Sequence, residues 1–195
     1  MLHRGRRRLG WPIAFLIVPI IPLCSVQVKY ADAQCVNPIV AGCGMYKACF
    51  SKYCPCKGSS REYFEKYGEK YCEKFLANAT LSAQGKKWRD STFRCLHEAI
   101  VPKLDLARPE KCDCASMRDL AFKSHVACYT QQSSSICALP LSDLNETRKT
   151  IEIADLFGKE GWSQMTEVAR ICSTSAPDDG RRTIWHTLLT ILSAR

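Results

Sequence analysis

From residue 59 onward, apolar side chains recur three and four positions apart with polar residues between them, the rhythm of helices with one buried face. Phe64, Tyr67, Tyr71, Cys72 and Phe75 predict a first helix, opened by Ser59-Ser60-Arg61-Glu62 as a capping box and ending near Asn78. A second starts after Ser82, with Trp88, Cys95, Leu96 and Ala99 on one face and Pro102 ending or bending it. Residues 102–113 form a connection. A third helix runs from about Asp113 to Tyr129, with Cys114, Met117, Ala121, Ser124 and Cys128 on one stripe. A fourth starts near Ser142, carries Ile151, Ala154 and Leu156, and stops at Gly158. A fifth spans Trp162 to Ile171 and turns Trp162, Met165, Val168, Ala169 and Cys172 inward. A polar loop over 173–182 precedes a last apolar helical piece, Ile184 to Leu192. Strict alternation is scarce, so the predicted class is all-α: one domain of about five helices plus a short C-terminal helix.

The first 33 residues do not fit that pattern. Arg4, Arg6, Arg7 and Arg8 make a basic start, Trp11 to Val28 is apolar, and Ala31-Asp32-Ala33 is a small-x-small cleavage site. These are the three parts of a secretory signal, placing the mature N-terminus at Gln34 and the helical domain over 34–195. A retained signal anchor fits less well, because Pro12, Pro19 and Pro22 interrupt a stretch near the lower length limit for spanning a membrane. A lipid anchor at Cys24 is disfavoured by Pro22 and Leu23 before it.

Cleavage changes the cysteine count. The chain has 13 cysteines, and Cys24 leaves with the signal. The remaining twelve are an even number in an exported chain, which points to a disulfide framework. Lys+Arg falls from 28 to 23 and Asp+Glu from 19 to 18, leaving a net charge near +5. No dense basic face with interleaved aromatics accompanies it, so it is not a nucleic-acid footprint.

Motifs for catalysis and metal binding are incomplete. Cys54-Pro55-Cys56 and Cys112-Asp113-Cys114 are C-x-C, whereas structural zinc sites space such ligands by two to four residues. His97-Glu98-Ala99-Ile100-Val101 has valine where a zinc protease needs its second histidine, so His97 and Glu98 read as a solvated helix face. His125 has no acidic neighbour and no calcium loop, and reads as a surface or partly packed residue. No nucleophile elbow, phosphate loop or dinucleotide fingerprint occurs. No catalytic residue, metal or cofactor is predicted. Asn78-Ala79-Thr80 and Asn145-Glu146-Thr147 are N-glycosylation sequons, and Asn78, at a helix end, is the preferred one.

The order of these cysteines has a counterpart. Cys35-Val36-Asn37, Gly42-Cys43-Gly44, Cys49 and Cys54 resemble the start of the stanniocalcins, secreted helical glycoprotein hormones. Gln84-Gly85-Lys86, Ser91, Cys95-Leu96, Cys112, Cys128-Tyr129, Cys137 and Cys172 follow in that family's order, and Trp185-His186-Thr187-Leu188 resembles its late aromatic-His-x-Leu. The resemblance implies Cys35 paired with Cys49, Cys43 with Cys72, Cys95 with Cys128 and Cys137 with Cys172. It implies one further bridge where this chain offers Cys54 or Cys56 on one side and Cys112 or Cys114 on the other. Doubling that bridge uses all twelve cysteines. Stanniocalcins carry a later unpaired cysteine that links two chains, and no cysteine follows Cys172 in this sequence.

The function expected from the resemblance is non-enzymatic binding of an unknown extracellular protein. The protein is expected to be secreted (periplasmic if the source is bacterial), with no nucleic acid and no membrane after cleavage. The alternatives are an extracytoplasmic enzyme using His125 or His97, and a structural or protective exported protein. Ile184, Trp185, Leu188, Leu189 and Leu192 crowd the C-terminal piece with more apolar surface than one face needs. They are expected either to fill the core or to contact a partner, a second copy included.

Overall fold

Three helix starts are built from a side chain that accepts the first free backbone N–H groups, the role of an N-cap. A computed structural model describes Cys35 and residues 42–194; the proposed signal and its cleavage site lie outside these. Ser82 Oγ accepts from Gly85 N at 3.2 Å and opens α2, Ala83–Ile100. Asp113 accepts from Ala115 N and Ser116 N and opens α3, Cys114–Tyr129. Asp178 accepts from Arg181 N at 2.9 Å and opens the C-terminal helix, Asp179–Ser193. The other helices are α1, Lys70–Ala77, α4, Leu141–Thr150, α5, Ile153–Leu156, and α6, Lys159–Ser175, which makes the C-terminal helix α7. Every regular element among the described residues is helical, so the protein is all-α.

Boundaries differ from the predicted ones in three places, each for a local reason. The expected capping box closes a turn instead: Ser59 Oγ accepts from Arg61 N and Glu62 from Gly58 N, and the helical path starts later, as a π-helical turn over Phe64–Glu69. The expected fourth helix breaks at Ile151 and Glu152, whose backbones are extended. Contacts to α1 hold the break: Glu152 N donates to the Tyr71 hydroxyl, the Glu152 carboxylate takes Lys70 and Lys74 at 2.6 and 2.7 Å, and Tyr71 donates to Asp155. The polar loop expected over 173–182 shrinks to the three residues between α6 and α7, because Ser173, Thr174 and Ser175 bond back to carbonyls of the preceding turn and Asp178 serves as a cap.

Helices α6 and α7 form an antiparallel hairpin, and α2 packs on α3, which in turn meets α6. Disulfides connect the layers. Cys35–Cys49 lies within the N-terminal segment, Cys43–Cys72 ties that segment to α1, and Cys95–Cys128 joins α2 to α3. Cys137–Cys172 joins the 3₁₀ turn Ile136–Ala138 to α6. Cys54–Cys112 and Cys56–Cys114 run side by side to the start of α3, with the Cys54 and Cys56 sulfurs 3.4 Å apart. All six pairs have Cα atoms 5.0–5.7 Å apart, inside the range a disulfide spans without moving the backbone.

The Gln84-Gly85-Lys86 stretch has a packing role. Gln84 donates to Ala138 O at 2.9 Å, next to Cys137. Asp143 of α4 is 1 % exposed and accepts from Ser82 N at 2.8 Å and from Ser82 Oγ at 2.5 Å. A Cβ on Gly85 would lie 2.7 Å from the Asp143 carboxyl carbon, so only glycine admits that carboxylate to the start of α2. Gly85→Ala is expected to destabilise by about 1–3 kcal/mol, the usual cost of overpacking. Denaturant unfolding checks this, and an unchanged midpoint would show that α4 does not seat there.

Candidate functional site: an apolar cavity and its mouth

Helices α1, α2 and α3 on one side and α4, α6 and α7 on the other enclose a cavity of about 780 Å³. Large rings from five of the six helices line it, and α4 contributes Leu141, Leu144 and Thr147 instead. Tyr71, Phe75, Trp88, Phe122, Trp162 and Trp185 all face it. Several rings contact one another edge-on: Phe75 and Trp88 have centroids 6.2 Å apart.

Four large apolar side chains line the cavity and are also open to solvent, so they mark its mouth. Leu141 is 59 % exposed, Phe157 51 %, Ile184 39 % and Ile191 61 %. Scattered exposed apolar residues need no explanation, whereas four on the lining of one cavity stand where interaction sites are found.

Most charged groups on the walls are paired; Arg148, exposed on α4, donates only to Asn145 Oδ1, at 3.4 Å. Arg118 meets Glu160 at 3.0 Å, Arg89 meets Asp90 at 2.7 Å, and Asp155 takes Lys70 and Tyr71. The hydrogen bonds from Lys70 and Lys74 hold the Glu152 carboxyl down to about 2, against an ordinary 4.5. Burial and the Asp155 bond push Tyr71 up to about 12.

The two candidate histidines have different surroundings. His125 lines the cavity and is half-buried; its Nδ1 lies 2.6 Å from Ala121 O and its Nε2 3.1 Å from the Tyr63 hydroxyl. This suits a neutral ring that donates from Nδ1 and accepts from Tyr63 at Nε2. His97 is a correction to the sequence reading. It is 1 % exposed, packed edge-on against Tyr46 and Phe50, and neither ring nitrogen has a hydrogen-bond partner. Only Glu98 of that pair faces solvent. The misplacement comes from the helical phase, since Leu96 and Ile100 flank the His97 stripe and carry it into the core.

Burial lowers both histidines from 6.5 to about 4. The folded protein keeps them neutral while the unfolded chain takes up protons near 6.5. Between these values the unfolded state binds more protons, so stability present above pH 6.5 is lost as the pH falls through 4. His97→Phe, which keeps the ring contacts and removes two unpartnered nitrogens, is expected to retain stability at pH 7. It should also flatten the acid loss by roughly 1–3 kcal/mol. Thermal melts at pH 7, 5.5 and 4 test this; identical pH profiles for the two proteins would contradict it.

The remaining candidate residues are dispersed. The Cys54, Cys56 and Cys114 sulfurs lie within 4.8 Å of one another, but as members of the two parallel bridges they are not the thiolates a metal requires. Asn78 sits at the C-terminal end of α1, donating to Thr150 Oγ1 at 3.0 Å and accepting from Thr80. Asn145 is exposed on α4 and lines the mouth. The proposed C-terminal contact set is divided. Trp185 and Leu192 are core residues, Leu188 and Leu189 are half-buried, and Ile184 is exposed together with Ile191. The mouth itself was not legible beforehand, because Leu141 and Phe157 lie far in sequence from Ile184 and Ile191.

A helical domain with six cystine pairs and an exposed apolar mouth defines the class: a disulfide-stapled all-α domain of the kind found in exported proteins. Residues 25–191 match the Stanniocalcin family, and the chain belongs to it. Stanniocalcins are secreted hormones, so membership makes this a hormone-like protein. No curated protein and no solved structure matches the chain. No helix among the described residues is long and apolar enough to cross a membrane.

Proposed function

We propose that the mature chain, starting at Gln34 and carrying all twelve cysteines in bridges, is secreted and acts without catalysis by binding another extracellular protein through the cavity mouth. The observation that carries this reading is the exposure of Leu141, Phe157, Ile184 and Ile191 around one opening. Side chains of this size on a rigid rim are what a partner's anchor residue uses. The bridges, which fix the helices behind the rim, keep the cost of ordering low on binding. Glycans at Asn78 and Asn145 belong to the same reading, in cells that glycosylate.

The test is capture from the protein's own extracellular fluid, comparing wild type with Phe157→Glu/Ile191→Glu. Both positions are more than half exposed, so the double variant should fold with little change in melting temperature. It should lose its partner by about tenfold or more, the effect of a hot-spot residue. Equal capture by both proteins would exclude the mouth. Hydrolysis of a lipid, peptide or glycan that disappears in His125→Ala would favour the enzyme reading. A second copy is the other occupant considered, because Ile184 and Ile191 of α7 stay exposed while Trp185 and Leu192 of the same helix are buried. Light scattering decides this: a dimer in wild type that becomes a monomer in the double variant supports self-association.

A further inference from the structure

The lining of the cavity carries one positive charge that no neighbour neutralises. We propose that the cavity holds an amphipathic anion, a single hydrocarbon chain ending in a carboxylate, with the chain inside and the carboxylate at Arg148. The volume of about 780 Å³ is within the range of roughly 300–1,000 Å³ that small-molecule sites occupy. It is well beyond the voids of a close-packed interior. The walls are mostly aromatic and aliphatic, which fits a hydrocarbon chain. This ligand occupies the space behind the rim and does not depend on a protein partner.

The sign of the head group follows from the charges on the lining. Both lining carboxylates are taken: Asp155 by Lys70 and Tyr71, and Glu160 by Arg118. Arg89 is matched by Asp90. Arg148 remains. No carboxylate among the described residues pairs with it, and Glu152, four residues on, is engaged by Lys70 and Lys74. Arg118 Nε is buried without an acceptor, so the other unmet group of a lining arginine is also a donor. A cationic head would meet like charge at Arg148, and a neutral one would leave that charge unmatched. The location of Arg148 avoids the cost of burying the anion. It is exposed in the last turn of α4, one turn beyond Leu144 on the same lining stripe. Its bond to Asn145 Oδ1, also on the lining, directs the guanidinium to that side of α4. A carboxylate there stays in contact with water while its chain enters the apolar interior. The guanidinium suits it, because its planar fork of N–H groups matches two carboxylate oxygens.

The tryptophans provide the readout. The chain has four, and the three that follow residue 34, Trp88, Trp162 and Trp185, all line the cavity. The experiment titrates the disulfide-intact mature protein separately with laurate, dodecanol and dodecylamine. The three probes share a chain length and differ in head-group charge. Laurate is expected to change tryptophan emission saturably at one molecule per chain. It should bind about fivefold more tightly than dodecanol, the upper value for an exposed ion pair, and dodecylamine should bind most weakly. Arg148→Gln, at an exposed position, should fold normally, bring laurate down to the dodecanol level and leave dodecanol unchanged. Val168→Trp, which fills the cavity from α6, should weaken all three probes; if it does not fold, Arg148→Gln decides alone. Four results would overturn the proposal: no saturable response to laurate, dodecanol binding as tightly as laurate, wild-type laurate affinity in a folded Arg148→Gln, or full binding by a folded Val168→Trp. Protein capture is read with Phe157→Glu/Ile191→Glu, which keeps Arg148, so failure of the partner contact and failure of this site are distinguishable.

Discussion

Serine at both Cys137 and Cys172 is expected to lower stability by about 3–4 kcal/mol, the chain-entropy value for a bridge closing a loop 35 residues long. For a domain of this size that corresponds to a fall in melting temperature of roughly 10 °C. Both cysteines are essentially unexposed, and their bridge ties the 3₁₀ turn after α3 to α6, where Ser175 Oγ also donates to Cys137 Sγ at 3.6 Å. The paired Cys56→Ser/Cys114→Ser variant provides the contrast. Its bridge spans 58 residues, and so does the Cys54–Cys112 bridge beside it. With that neighbour intact, the second closure restricts the unfolded chain little further, and its loss is expected to cost about 1 kcal/mol or less. Scanning calorimetry of the two oxidised variants measures the difference. Equal losses would mean that the parallel bridges do not close the same loop.

Trp185→Ala should cost about 3 kcal/mol, at the lower end for a buried aromatic because the indole already borders a cavity. Trp185 is 6 % exposed and holds α7 against α6, and Trp162 Nε1 donates to Leu192 O at 3.2 Å from the opposite side of that hairpin. Ile191→Ala, on the solvent side of the same helix, should change stability by less than about 0.5 kcal/mol. Chemical denaturation separates the two. Near-equal, small effects would describe a C-terminal helix detached from the core; the predicted asymmetry describes a docked helix with one apolar edge left outside.

The parts of the fold that were legible in the sequence are those set by local chemistry. Ser82 and Asp113 are strong caps, and α2 and α3 begin beside them. The stripe of Met117, Ala121 and Cys128 identifies the buried face of α3 because its period is that of a helix. Tertiary contacts decided the rest. Tyr71, Lys70 and Lys74 on α1 break the fourth helix from 81 or so positions away, a distance over which periodicity carries no signal. The serines of 173–175 have loop-like composition, but their hydroxyls have carbonyls of the previous turn within reach. The mouth depends on the packing of α4, the α5–α6 joint and α7 around one opening, so no single segment displays it. His97 shows the same effect in miniature: a polar residue that reads as surface is carried inward by the phase of its helix.

The covalent frame ties the N-terminal segment, α1, α2, α3 and α6 together, and its most direct test is mass spectrometry of the secreted protein without reduction. Six bridges remove twelve hydrogens, so the intact mass should be about twelve hydrogens below that of the reduced protein. Non-reduced peptide mapping should join Cys56 to Cys114 and Cys54 to Cys112. Two or more free thiols, or a peptide in which Cys54 is joined to Cys56, would contradict the frame.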